Sequence, residues 1–226
     1  MRPFSLVLAA IAILVAGASS ASGQAPTSTG SGQSPTTAPV AQTAMPNAAA
    51  RPAQPGLVLV VIETPMGDIE VEVDATHAPA TAANFLAYVD AGLYDGGSFH
   101  RTVTPANQPN DAVRIEVIQA DMPEAKAAER KPAIALERTS VTGLRHRDGA
   151  ISMARSGPDT AESSFFICIG DQPSLDFGGQ RNKDGQGFAA FGRVTRGMDV
   201  VRRIQASPAE GQALSPPIPI VKVRRK

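Results

Sequence analysis

The sequence has a single cysteine, Cys168, no tryptophan and no net charge, with 21 basic residues against 21 acidic ones. One cysteine excludes an intramolecular disulfide framework and a Cys-based zinc cluster. The charge balance argues against a basic surface for nucleic acid. Aromatic residues are only 4% of the chain, so the core is expected to be mainly aliphatic, with phenylalanine at a few positions. His77, His100 and His146 do not sit at zinc-ligand spacing, and no metal or other cofactor is expected. There is no Gly-x-Ser-x-Gly elbow and no glycine-rich phosphate loop ahead of a helix. Segment 176–187 is rich in Gly and Asp. Taken as a calcium loop with Gly185 at the turn, however, it puts Gln180 at the first ligand and Phe191 at the bidentate acid. A long surface loop is expected there instead. Cys168 lies in the apolar run 165–169 and reads as a small buried hydrophobe rather than a nucleophile.

What is present begins with two segments outside any fold. Residues 1–23 have the form of a secretory signal peptide: Arg2, then an apolar run of 13 residues over 6–18, then small residues. That run is too short to span a bilayer, which needs about 20 residues. Residues 24–56 hold Pro26, Pro35, Pro39, Pro46, Pro52 and Pro55 among Ala, Thr, Ser, Gln and Gly. This composition predicts a disordered tether, because too little apolar surface is available to offset the entropy of ordering. The mature chain is expected to be a periplasmic or secreted monomer with no stable membrane insertion. Arg2 and Arg51 are the only charged residues before Leu57, so 57–226 carries 19 bases against 21 acids.

The remaining 170 residues suffice for one core. Segment 57–64 is apolar and β-branched. Pro65-Met66-Gly67-Asp68 reads as a turn, and Ile69, Val71 and Val73 then alternate with acids, predicting a hairpin. Pro79 suits the first turn of a helix that presents Phe85, Leu86, Tyr88 and Val89 and ends at Gly92. Further strands are expected at 98–103, 112–118, 150–154, 164–169 and 188–194, a second helix at 197–205 and a closing strand at 218–223. Many short strands with two helices predict a mainly β fold, a closed antiparallel barrel capped by the helices.

The remaining chemical signal is an arginine in a strand beside aromatics, Phe99-His100-Arg101. Several segments, taken in order, then resemble the cyclophilin family of peptidyl-prolyl isomerases. They run from Gly67-Asp68-Ile69 through His77-Ala78-Pro79, Ala83-Asn84-Phe85-Leu86, Gly92-Leu93-Tyr94-Asp95-Gly96 and Ser98-Phe99-His100-Arg101. Gly149-Ala150-Ile151-Ser152-Met153-Ala154, Ser164-Phe165-Phe166-Ile167, Leu175-Asp176, Phe191-Gly192-Arg193-Val194 and Gly197-Met198-Asp199-Val200-Val201 follow. The resemblance covers nearly all of 57–226 and implies an eight-stranded closed barrel with two helices. It implies proline-containing polypeptide clients and prolyl isomerisation without a covalent intermediate. By the same resemblance Arg101 and Gln119 are catalytic. Phe99, His100, Val117, Met153, Ala154, Arg155, Phe166, Leu175 and Phe188 contact substrate, with Val117, Phe166 and Leu175 at the proline pocket.

The chain also departs from the family pattern. Residues 102–116 form a longer, polar stretch where the family has a short turn. Glu116 falls where a pocket Phe is usual, Ser164 where Gln is usual, Ser174 near a position often Trp, and Phe188 where His is frequent. A non-catalytic module that holds Pro-containing peptides is the alternative these departures leave open.

Overall fold

A computed structural model of the chain describes residues 56–226; the signal-peptide and tether segments lie outside the described residues. The hairpin forms as expected: β1 (Leu57–Thr64) and β2 (Gly67–Asp74) pair in register from Leu57↔Asp74 to Thr64↔Gly67. Ile69, Val71 and Val73 are all fully buried, and the acids between them are not. The first helix, α1 (Pro79–Asp90), buries Phe85, Leu86, Tyr88 and Val89. It ends where the sequence indicates. Gly92 takes φ +61°, Gly92 N–H donates to the Val89 carbonyl and Leu93 N–H to the Tyr88 carbonyl. This C-terminal cap needs a left-handed residue, which glycine supplies at least cost.

The other strands are β3 (Ser98–Val103), β4 (Val117–Asp121), β5 (Ala150–Met153), β6 (Phe165–Cys168), β7 (Ala189–Arg196), β8 (Ala209–Glu210), β9 (Ala213–Pro219) and β10 (Lys222–Arg225). A four-residue helix α2 (Thr139–Thr142) and the expected second helix, now α3 (Met198–Gln205), complete the described elements besides short 3-10 turns. The fold is mainly β with few helices. Its ten strands form one sheet in the order β10-β1-β2-β7-β5-β6-β4-β3-β9-β8.

That sheet corrects the eight-stranded closed barrel. Its end strands β10 and β8 do not pair, so the sheet is not closed. The expected closing strand 218–223 is divided between β9, which pairs with β3, and β10, which pairs with β1. The division falls at Ile220, whose side chain is fully buried and whose backbone bonds to Gly96 and Gly97. Pro219 just before it has no N–H for a continuing ladder. The chain itself therefore connects the β3 side to the β1 side.

A second correction concerns 112–118. The strand begins only at Val117, because side chains organise what precedes it. Thr104 and Asn107 cap a 3-10 turn over Pro105–Asn107. The buried Gln108 side chain donates to the Thr104 and Ile115 carbonyls and accepts from Ile115 N–H.

The main core is enclosed by the inner face of the sheet with α1 and α3. It is more aromatic than the composition suggests, since Phe85, Tyr88, Tyr94, Phe99, Phe165 and Phe191 cluster there. The Phe85 ring lies 5.0 Å from Phe191, 5.4 Å from Tyr94 and 5.5 Å from Phe165. Cys168 is buried as expected, and burial pushes its thiol up, away from nucleophilic chemistry. Phe85→Ala is expected to lower unfolding free energy by about 3–5 kcal/mol, measured by denaturant titration.

Candidate active site

Three adjacent strands present a second, outer face. Period two sends Phe165 and Ile167 of β6, Ile118 and Ala120 of β4 and Ile151 and Met153 of β5 into the main core. Their neighbours Phe166, Cys168, Val117 and Ala150 join Val103, Ile115 and Leu175 in a smaller apolar cluster, with Ala154 and Phe188 against it. The Phe166 and Phe188 rings meet edge to face at 5.3 Å.

Arg101 reaches this outer face through a bulge. Phe99 pairs with Ala120 and Arg101 with Gln119, so β3 uses one more residue, His100, than β4. Phe99 therefore faces the core while Arg101 and Val103 face outward, beside Gln119 and Val117. Arg101 Nη1 donates to Gln119 Oε1 at 2.9 Å. Its Nε and Nη2 both donate to Gln212 Oε1, at 2.9 and 2.6 Å. One N–H on each terminal nitrogen is left without an acceptor among the described residues. Burial pulls the guanidinium pKa down from its ordinary value, and the Arg181 charge adds to this while Asp111 opposes it.

Gln119 is itself oriented. Its Nε2 donates to Ser164 Oγ at 3.0 Å, and that hydroxyl donates to the Ala120 carbonyl. Ser164, a departure from the family pattern, thus anchors the glutamine. Glu116 turns away from the apolar cluster and accepts from Gln205 Nε2 on α3. Ile115 takes the buried place beside Val117 instead.

The structure brings Arg101, Gln119, Val117, Ala154, Phe166, Leu175 and Phe188 onto one face. It separates Phe99 and Met153 from them, because both fill the main core. His100, Gln119, Ala154 and Arg155 border an adjoining polar cleft of about 290 Å³, with Asp121, Arg130 and Glu162. Burial lowers the His100 pKa and disfavours its imidazolium. The Arg155 side chain is 1% exposed. It donates to Asp184 and to the Gly187 carbonyl and lies over the Phe188 ring at 5.1 Å. It holds the 177–187 loop. Gly187 brings that loop against Leu175, since a Cβ there would meet the Asp176 carbonyl carbon at 2.5 Å.

Two elements of this face escaped the sequence reading. Gln212 stands 111 positions from Arg101 in an unremarkable turn; no local signal marks it. His146 lies fully buried beneath the cluster, its ring stacked on Phe166 at 6.0 Å. Its Nδ1 meets Asp176 Oδ1 at 2.8 Å and its Nε2 meets Ser152 Oγ at 3.0 Å. Burial pushes the Asp176 carboxyl up, but hydrogen bonds from His146 and Arg145 outweigh it and hold the pKa below the usual value. Asp176 was legible only as the second residue of the Leu175-Asp176 motif.

The Arg155 hydrogen bonds hold Asp184 down to about 2, against an ordinary 3.8. A depressed carboxylate contributes stability above its unfolded pKa and loses it as pH falls towards the folded one. Loop docking is therefore expected to weaken between pH 3.8 and about 2. In Asp184→Asn this component of an acid titration, followed by amide chemical shifts of 177–187, is expected to vanish.

Comparison with known proteins agrees with the geometry. The family model for cyclophilin type peptidyl-prolyl cis-trans isomerase/CLD matches residues 59–225. A peptidyl-prolyl cis-trans isomerase of Acinetobacter baylyi is 33% identical over 162 residues, covering 71% of this chain and 79% of that protein. Peptidyl-prolyl cis-trans isomerase A of Dickeya dadantii is 38% identical over 152 residues, covering 67% and 73%. In structure, a Cryptosporidium parvum cyclophilin-type isomerase superposes with a TM-score of 0.61 at 22% identity, covering 75% of this chain and 98% of the other. With the family match spanning both the sheet and the face that carries Arg101, the chain belongs to the cyclophilin-type peptidyl-prolyl cis-trans isomerases.

Proposed function

We propose that Arg101 carries the isomerase activity by stabilising the twisted X–Pro amide of a client polypeptide. The observation that supports this reading is the guanidinium fixed on two sides by Gln119 and Gln212 at the apolar face, with two N–H groups left over. Amide resonance sets a barrier of roughly 20 kcal/mol to X–Pro rotation. As the bond twists, resonance is lost and the prolyl nitrogen regains a lone pair. A donor that meets this nitrogen only in the twisted state lowers the barrier without tightening ground-state binding. Arginine suits the task because it stays charged and presents rigid donors. The apolar cluster around Phe166, Leu175 and Val117 receives the proline ring while the preceding carbonyl turns. No bond is made or broken. A thousandfold acceleration needs about 4 kcal/mol, and one charge-assisted hydrogen bond at roughly 1.5–3 kcal/mol supplies much of it.

Gln119 and Gln212 are positioning residues in this scheme. The side chain of Glu116, turned towards α3, leaves the apolar face intact, which supports turnover over mere peptide holding. Among the described residues no helix is long and apolar enough to cross a membrane. The apolar leader at 6–18 and the Pro-rich stretch behind it favour clients beyond the cytoplasmic membrane, in the periplasm or outside the cell.

The test is isomerisation of a short X–Pro peptide by the purified chain. Arg101→Ala is expected to lower kcat/KM by about 10- to 100-fold with little change in thermal midpoint. Near-normal turnover by that variant would remove Arg101 from the mechanism. Gln212→Ala is expected to lower kcat by about 3- to 10-fold with KM held, because the fork loses one of its two supports.

A further inference from the structure

We propose that Arg181 is a positioning residue that joins the two long segments flanking the apolar face and so sets how well the proline ring is held. The proposal rests on the prolyl-isomerase reading of that face.

The first segment is 104–116, the polar stretch that stands in place of a short turn. Its near end is tied down by Asn107, which donates to the Thr102 and Gly211 carbonyls, and by Gln108. Its far end delivers Ile115 to the apolar cluster next to Val117. Between them, residues 109–114 have one local bond, from Asp111 N–H to the Gln108 carbonyl, and otherwise bond to the rest of the domain, among the described residues, only through Arg181. Arg181 Nη1 donates to Asp111 Oδ2 at 3.0 Å and to the Val113 carbonyl at 2.7 Å.

The second segment is the 177–187 loop, whose two ends carry Leu175 and Phe188. It is anchored from below: Arg155 grips Asp184 and Gly187, and Arg138 Nε donates to Gln186 Oε1 at 2.6 Å. Arg181 N–H donates to the Ser174 carbonyl, next to Leu175. The guanidinium thus reaches from a well-anchored loop to the lightly held middle of the other segment. Both flank the same surface: Ile115 ends the first, and Leu175 and Phe188 border the second.

Three consequences follow from this arrangement. Cutting the contact frees 109–114 and leaves the Gln108 bonds as the remaining side-chain tie on Ile115, so the ring is held less well. Arg101 is oriented separately, by Gln119 and Gln212, so the chemical step is spared. The Asp111 side chain is 42% exposed and that of Arg181 16%, so salt weakens the ion pair from its open side.

The experiment compares the purified chain with Arg181→Ala, Asp111→Ala and the exchange pair Asp111→Arg/Arg181→Asp, using an uncharged Ala-Pro-containing tetrapeptide. In Arg181→Ala, KM is expected to rise about 3- to 10-fold, the size of a partly exposed charge-assisted contact, with kcat unchanged. The exchange pair restores the ion pair but not the bond to the Val113 carbonyl, so it is expected to recover part of the loss, and high salt to move the parent's KM towards that of Arg181→Ala. A merely structural role would lower the thermal midpoint without this KM-against-kcat split. Unchanged KM in Arg181→Ala, or kcat falling with it and no recovery in the exchange pair, overturns the proposal. If the parent accelerates nothing, the isomerase mechanism fails on its own account. The clasp is then read from peptide affinity by NMR titration, where equal affinity of parent and Arg181→Ala overturns it.

Discussion

Between Phe99 and Arg101 the strand β3 contains one residue more than β4 can match, and this local excess decides which way the arginine faces. In a regular ladder, residues two apart share a face, so Arg101 would follow Phe99 into an aromatic core where a guanidinium has no partner. The bulge at His100 shifts the phase by one. Phe99 remains against Phe165, at 6.2 Å between rings, while Arg101 emerges beside Gln119. The ladder to β9 shifts at the same point and brings the turn that carries Gln212 alongside. One extra residue therefore creates both supports of the guanidinium.

The same strands serve two purposes because their faces are chemically divided. Phe165 and Phe166 are neighbours in sequence, yet one belongs to the main core and the other to the outer cluster. Volume and stability come from the inner side; the outer side carries Arg101 and the smaller apolar cluster. The outer side is small, and several of its members come from loops rather than strands. Arginines compensate. Arg155 and Arg138 hold the 177–187 loop from beneath, and Arg181 ties that loop to 104–116. Each supplies several rigid donors to backbone carbonyls and carboxylates, which suits segments with few apolar contacts of their own.

Much of this was legible along the chain. Period-two alternation marked β2, Pro79 and Gly92 bounded α1, and the segment beginning at Ser98 was placed correctly, because each signal is local. The end of the fold was less readable. A strand written as one run, 218–223, divides at Ile220, since its two halves pair with different strands, β3 and β1, each more than a hundred residues away along the chain. The site shows the same pattern. The resemblance grouped Arg101, Gln119, Phe166 and Leu175 with Phe99 and Met153, but the last two face the other way and belong to the core.

By itself the sequence determined the hairpin, the two main helices, the alternation of β2 and the family, because alternation, capping and motif order depend on short stretches of chain. Tertiary structure alone decided that the sheet stays open, that Ile115 and not Glu116 completes the apolar face, and that Gln212 and Arg181 stand where they do. The physical reason is the same in each case. A bulge, a divided strand or a side-chain bond across 68 or 111 residues depends on which groups folding brings within hydrogen-bonding distance. No local pattern encodes that meeting.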